Sequence, residues 1–214
     1  MPQDRIDAAL AYVQGLFETE YSGHDYFHTL RVFNMATRLA KAEGADVEIA
    51  QLAALLHDVD DRKLSPETHK TQDRARAFLR ELGVEEPAIE RICCIIREIS
   101  FGDNGTTAPS TPEGRCVQDA DRLDALGAIG IARAFAYGGH HRRHMHHPDI
   151  APQDNMTCEE YRQSQSTTVN HFYEKLFKLT ALMNTETALR IASEREAFMR
   201  AYLDAFLGEW EGKR

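Results

Sequence analysis

Residues 52–63 read LAALLHDVDDRK. Five apolar residues, Leu52 to Leu56, lead straight into His57, Asp58, Asp60 and Asp61, with Arg62 and Lys63 behind them. An imidazole and a carboxylate at the end of a segment built for burial are costly unless they are paired, hydrogen-bonded or bound to a metal. The rest of the chain has to decide between these.

Outward from that stretch, apolar residues recur with helical period almost throughout, and no alternating strand pattern is found. The pattern predicts helices near 3–20, 25–43, 46–59, 66–83, 86–99, 115–137, 159–180 and 184–208, with Gly44, Gly83 and Pro87 at the joins. Two stretches break the period: the turn-rich DNGTTAPSTPEG at 103–114 and the histidine-rich YGGHHRRHMHHPDIAPQDN at 137–155. Neither has the character of a linker, since long segments of similar composition flank both. The expectation is an all-α fold, a single helical bundle over residues 1–214.

Composition sets the outer bounds. A chain of 214 residues with 43% hydrophobic and 28% charged residues can bury a sizeable core. Its net charge of −9 argues against a general partner for nucleic-acid polymers or anionic membranes, both of which reward basic surfaces. The opening MPQDRIDAALAYV lacks a basic region followed by an apolar core, and no apolar run reaches membrane-spanning length. Cys93, Cys94, Cys116 and Cys158 show no disulfide-framework spacing, so free thiols and a cytoplasmic location are expected.

On the second predicted helix, His28 shares a face with Val32, Met35, Ala36 and Leu39, and His24 lies one turn earlier. His57 continues the stripe Ile49, Ala53, Leu56, and Asp121 heads a stripe with Ala125, Ala128 and Ala132. Each residue alone has a plain explanation: a satisfied core histidine, a helix cap, an ion pair. Together they ask one core to take two histidines and two aspartates, and a divalent cation satisfies all four. Imidazole with carboxylate suits Mn, Fe, Co, Ni or Zn, with Mg admissible.

His28, the doublet His57-Asp58 and Asp121 follow the H…HD…D pattern, and five longer strings surround them: GHDYFHTLRV (23–32), LLHDVDDRK (55–63), IIREISF (95–101), QDADRLDALGAIGIARAF (118–135) and NHFYEKLFKL (170–179). By these strings the chain resembles the HD superfamily of metal-dependent phosphohydrolases, and within it the YedJ/YpgQ-like bacterial branch. The resemblance runs from about Tyr21 to the final helix. It implies an all-α HD domain, with a motif core at about 24–125 and C-terminal helices at 159–208 completing the pocket. It also implies one divalent metal held by His28, His57, Asp58 and Asp121. The implied activity is hydrolysis of a phosphate ester or anhydride in a nucleotide, with release of pyrophosphate from a nucleoside triphosphate as the leading case. A phosphodiesterase or nucleotidase acting on another nucleotide, and a metal- and nucleotide-binding module without turnover, stay open beside it.

Dinuclear relatives carry further histidines between the doublet and the last aspartate; here only His69 intervenes, which favours a single metal. Asp58 and Asp61 are the candidates for catalysis, Asp61 as the group that orients the attacking water or supports a ligand histidine. Candidates for substrate contact are His24, Asp25, Lys63, Arg97, His171 and Lys175. Lys63, Arg97 and Lys175 would meet charge developing on phosphate oxygens, and Lys175 follows His171 by one helical turn. The cluster His140, His141, His144, His146 and His147 reads as a solvated loop rather than a second metal site, given its flanking glycines and Pro148. The expected partner is a small nucleotide or other phosphorylated molecule, and a homodimer is left open.

Overall fold

The structure is a computed structural model and describes residues 2–18, 25–60, 67–68, 71–99, 107–154 and 166–214. Among the described residues there is no strand, in keeping with the all-α expectation. The helices are α1 (Pro2–Leu16), α2 (Tyr26–Glu43), α3 (Val47–Leu56), α4 (Asp73–Glu81), α5 (Glu86–Ile99), α6 (Pro112–Asp124), α7 (Gly127–His140), α8 (Thr168–Glu174) and α9 (Glu186–Trp210). Short 3-10 turns at Leu176–Lys178 and Thr180–Leu182 lie between the last two. None of these helices is long and apolar enough to cross a membrane. Two compact units emerge, Met1–Asp121 and Arg122–Arg214.

In the first unit α3 is the central element and packs against α1, α2 and α5. Its sequence explains why: Ala50, Leu52, Ala53, Ala54, Leu55 and Leu56 are all buried, so it needs neighbours on every side. Asp46 caps its start, the carboxylate accepting from the Ile49 N–H at 3.2 Å. Gly44 ends α2 in the left-handed conformation at φ 68°, a backbone state that favours glycine.

The second unit is built on α9 packed against α7, with α8 also against α7. Phe135 of α7 sits among Phe172, Tyr202 and Phe206, with ring centroids 5.6–6.1 Å apart.

Helix boundaries depart from the expected ones for identifiable reasons. The helix expected over 115–137 is two, α6 and α7, because Leu126 is extended and Gly127 takes φ +73°. Gly130 permits the tight return: a Cβ there would lie 2.2 Å from the Ala125 carbonyl oxygen. Among the described residues, the helix expected over 66–83 is Asp73–Glu81, preceded by Gln72 at φ 53°. Of the helix expected over 159–180, the described part is α8 and the 3-10 turns, since Lys175 leaves the helical region at φ −137°.

Cys93, Cys94 and Cys116 are free thiols, and Cys158 lies outside the described residues. Burial pushes the Cys93 thiol up to about 11 and the Cys116 thiol up to about 12, which makes both poor nucleophiles.

Candidate metal centre

Three helices of the first unit deliver the polar groups. Asp25 caps α2, its Oδ1 accepting from the His28 N–H at 2.7 Å, so His28 sits in the first turn with its ring turned into the core. His57 is the residue at which α3 ends, and Asp58 follows in the turn. α6 is anchored to the start of α3, where Glu113 Oε1 accepts from the Asp46 N–H at 3.0 Å. From that anchor Asp121 lies about two turns further along α6, which brings it level with the end of α3.

Three of the side chains close on one another, and Asp121 reaches one of them. Asp58 Oδ2 is 3.2 Å from His57 Nε2 and 3.6 Å from His28 Nε2, and Asp121 Oδ1 is 3.4 Å from His28 Nε2. The two imidazoles meet edge to face with centroids 5.4 Å apart. His28, His57 and Asp58 each offer a donor atom within 4.8 Å of the other two. Their side chains are 2%, 6% and 8% exposed, whereas that of Asp121 is 32% exposed and forms the wet side.

His57 Nδ1 lies 2.7 Å from the Ala54 carbonyl oxygen. A carbonyl can only accept, so Nδ1 carries the proton and Nε2 turns toward the carboxylates. Burial pushes the His57 pKa down, but the charge and hydrogen bond of Asp58, the charge of Asp121 and the Ala54 carbonyl outweigh it and raise it to about 9. Two imidazole nitrogens and the Asp58 carboxylate form a donor set that could hold one divalent ion, and Asp121 Oδ1 reaches His28 Nε2 from the wet side.

A family model described as "HD domain" matches residues 25–126. Bacillus subtilis YpgQ is 38% identical over 194 residues, spanning 90% of this chain and 87% of that one. The chain belongs to the HD superfamily of metal-dependent hydrolases. A crystal structure of an HD-superfamily hydrolase from Bacillus thuringiensis is similar to this HD hydrolase at 40% identity and TM-score 0.80, over 99% of both chains. The crystal structure of B. subtilis YpgQ in complex with ADP is similar at 32% identity and TM-score 0.74, over 95% of this chain and 96% of that one.

The remaining candidates of the HD hydrolase fall as follows. Asp25 is the α2 cap described above, one turn from the cluster. Arg97 is exposed in the last turn of α5, where its charge acts on Glu90 and Cys93. His24, Asp61, Lys63 and His69 lie outside the described residues. His171 and Lys175 belong to the second unit, on α8 and at its end.

The histidine-rich segment does not converge on a point. His141 stacks on Tyr137 at 3.8 Å, His146 packs edge-on to Trp210 at 5.3 Å, and His147 Nδ1 accepts from the Asp149 N–H at 3.2 Å. Among the described residues, the only three-donor cluster is the one on α2 and α3.

Two supporting groups escaped the sequence reading. One is the Ala54 carbonyl. The other is Asp60, a buried carboxylate that accepts from the N–H groups of Arg74 at 3.4 Å and Ala75 at 3.0 Å and so fastens the start of α4. Both act through backbone atoms, which no side-chain pattern marks.

In the second unit, burial first and then the positive charges of Lys175 and Arg143 push the His171 imidazole down to about 3. A histidine whose folded pKa lies below its unfolded value of about 6.5 contributes stability in full above that pH. The contribution is lost as pH falls from 6.5 toward 3, by up to about 1.4 kcal/mol per unit. Urea midpoints measured at pH 7, 5.5 and 4.5 should therefore fall more steeply for the parent than for His171→Gln. Parallel acid limbs in the two proteins would show that His171 titrates normally.

Proposed function

We propose that this HD hydrolase cleaves a phosphoanhydride bond of a nucleoside triphosphate, ribo or deoxy, and releases pyrophosphate. The observation that carries the reading is the cluster of His28, His57 and Asp58, whose donor atoms lie within 4.8 Å of one another, with Asp121 Oδ1 3.4 Å from His28 Nε2. The nucleotide class is supported by the ADP complex of YpgQ, which is similar over almost the whole chain.

In this reading the four residues hold one divalent ion. Such an ion, when bound, polarises a phosphoryl oxygen and lowers the pKa of water beside it. The residues supply the rest. His57, its Nδ1 proton fixed on Ala54, presents Nε2 in one tautomer, and Asp58 sits between the two imidazoles with its charge already in place. Preorganised charge of this kind costs no rearrangement when the substrate reacts. Asp61 is assigned to orienting the attacking water, and His24, Asp25, Lys63, Arg97, His171 and Lys175 to the substrate's charge and base.

The test is a product screen on protein of measured metal content. Nucleoside triphosphates, diphosphates and cyclic nucleotides are each supplied with Mn²⁺, Mg²⁺ or Co²⁺. Triphosphates should yield monophosphate and pyrophosphate in equal amounts. Orthophosphate as the first product, or turnover of cyclic nucleotides alone, would replace the pyrophosphohydrolase reading. Thermal stabilisation by nucleotide with no product under any metal would favour a binding module.

A further inference from the structure

His28 and His57 each have a local hold. Asp25 fixes the first turn of α2 by accepting from the His28 N–H at 2.7 Å, and the Ala54 carbonyl lies 2.7 Å from His57 Nδ1. Asp121 has no such device among the described residues. Its Oδ1 stands 3.4 Å from His28 Nε2, its side chain is 32% exposed, and its carboxylate accepts no hydrogen bond among those residues. The place of Asp121 is therefore set by α6 itself, by where that helix starts and how it is turned.

At its other end α6 is clasped by a buried side chain. Glu113 lies in the first turn, where Oε1 accepts from the Asp46 N–H at 3.0 Å and Oε2 is 3.5 Å from Arg91 Nη2 of α5. Arg91 Nη1 in turn stands 4.0 Å from Asp46 Oδ2, so α3, α5 and α6 all meet at this carboxylate. It sits at the start of α3, where the helix dipole favours a negative group. Asp46 and Arg91 also border a cavity of about 250 Å³, so close packing does not back the joint on that side and the polar contacts carry it. Glu113, Val117 and Asp121 follow one another four residues apart along one side of α6, with Val117 fully buried between the other two. At about 1.5 Å per residue Asp121 lies about 12 Å beyond Glu113, and a slip of one residue at the clasp would reach Asp121 undiminished, with a turn of about 100°.

We propose that Glu113 is a positioning residue for the metal centre: its hydrogen bond to the Asp46 N–H sets the register of α6 against α3 and so holds Asp121 within reach of the cation. The bond rather than the charge is the device. Oε1 is at hydrogen-bonding distance from the amide, whereas Arg91 approaches only to 3.5 Å. The inference rests on the proposed function, in which Asp121 is a ligand.

The test is calorimetric titration of Mn²⁺ into the metal-stripped full chain, in a double-mutant cycle that pairs Glu113→Ala with Asp121→Asn. Glu113→Ala should weaken Mn²⁺ binding about tenfold or more, as removal of an outer partner of a ligand does. Glu113→Gln keeps an acceptor oxygen and should bind within about twofold of the parent. In the Asp121→Asn background Glu113→Ala should cost nothing further, because the residue it positions has already lost its charge. Circular dichroism checks the fold of each variant. Where the alanine variant unfolds, Glu113→Asp takes its place in the cycle, since it keeps the charge but shortens the reach by one methylene. Equal losses in both backgrounds would overturn the proposal, because Glu113 would then support the fold at large; so would a glutamine variant as weak as the alanine one. No Mn²⁺ binding by the parent, or parental affinity in Asp121→Asn, would overturn the ligand set behind the proposed function and this proposal with it, whereas the first two results leave that set in place.

Discussion

Asp58→Asn is expected to lose metal and activity together. The substitution keeps the volume and removes the charge that sits 3.2 Å from His57 Nε2 and 3.6 Å from His28 Nε2. Altering an outer partner of a metal ligand already costs about 10–100-fold, so loss of a ligand carboxylate should cost at least about 100-fold in turnover. Metal content after gel filtration and the rate of pyrophosphate release are the measurements. Asp60→Asn is the informative comparison, two residues away in the same turn. Its carboxylate serves the backbone of α4, so it should lower stability by about 1–3 kcal/mol and leave metal content unchanged. An Asp58→Asn protein with parental metal content and rate would remove the metal centre from the chemistry.

Stripping the metal should lower the melting temperature markedly. A ligand present at about 100 times its dissociation constant stabilises the folded state by about 2.7 kcal/mol. For a chain of this size each kcal/mol moves the midpoint by about 2–4 °C, so a shift of about 5–10 °C is expected between chelated and metal-saturated protein. In the proposed centre, side chains from α2, the end of α3 and α6 would give the ion a purchase on most of the first unit. The Asp58→Asn variant should show little of the shift. Melting curves that superimpose with and without Mn²⁺ or Co²⁺ would mean that the cluster does not hold an ion in the folded state.

Much of this arrangement is legible in residue order. Helical period places His28 and His57 on apolar stripes, and a polar group on such a stripe has to turn inward; their approach follows from that, whereas the stripe expected from Asp121 to Ala132 is cut by the break after Asp124. The all-α class is legible for the same reason. Position along the backbone is harder to read. The break between α6 and α7 rests on a left-handed Gly127, and GAIGIARAF is an equally good continuous helix by period alone. The early end of α8 rests on the φ of one lysine, to which a hydrophobic pattern is blind. Asp60 stood in view in DVDD, yet its partners are amide groups at 74 and 75 that no residue type announces. The run at 137–155 reads as one loop, whereas its first residues close α7 and backbone bonds from Thr168 and Val169 tie the His144 and Met145 carbonyls to the start of α8.

The contact from His57 to residue 54 has an evolutionary side. Because the acceptor is the carbonyl of Ala54, no change of side chain at that position can abolish it. A carboxylate in the same role could be lost to a single codon change; a peptide oxygen can be lost only if the chain ceases to coil there. The orientation of this imidazole is thus inherited with the last turn of α3, and it should drift less among descendants than any residue that surrounds it.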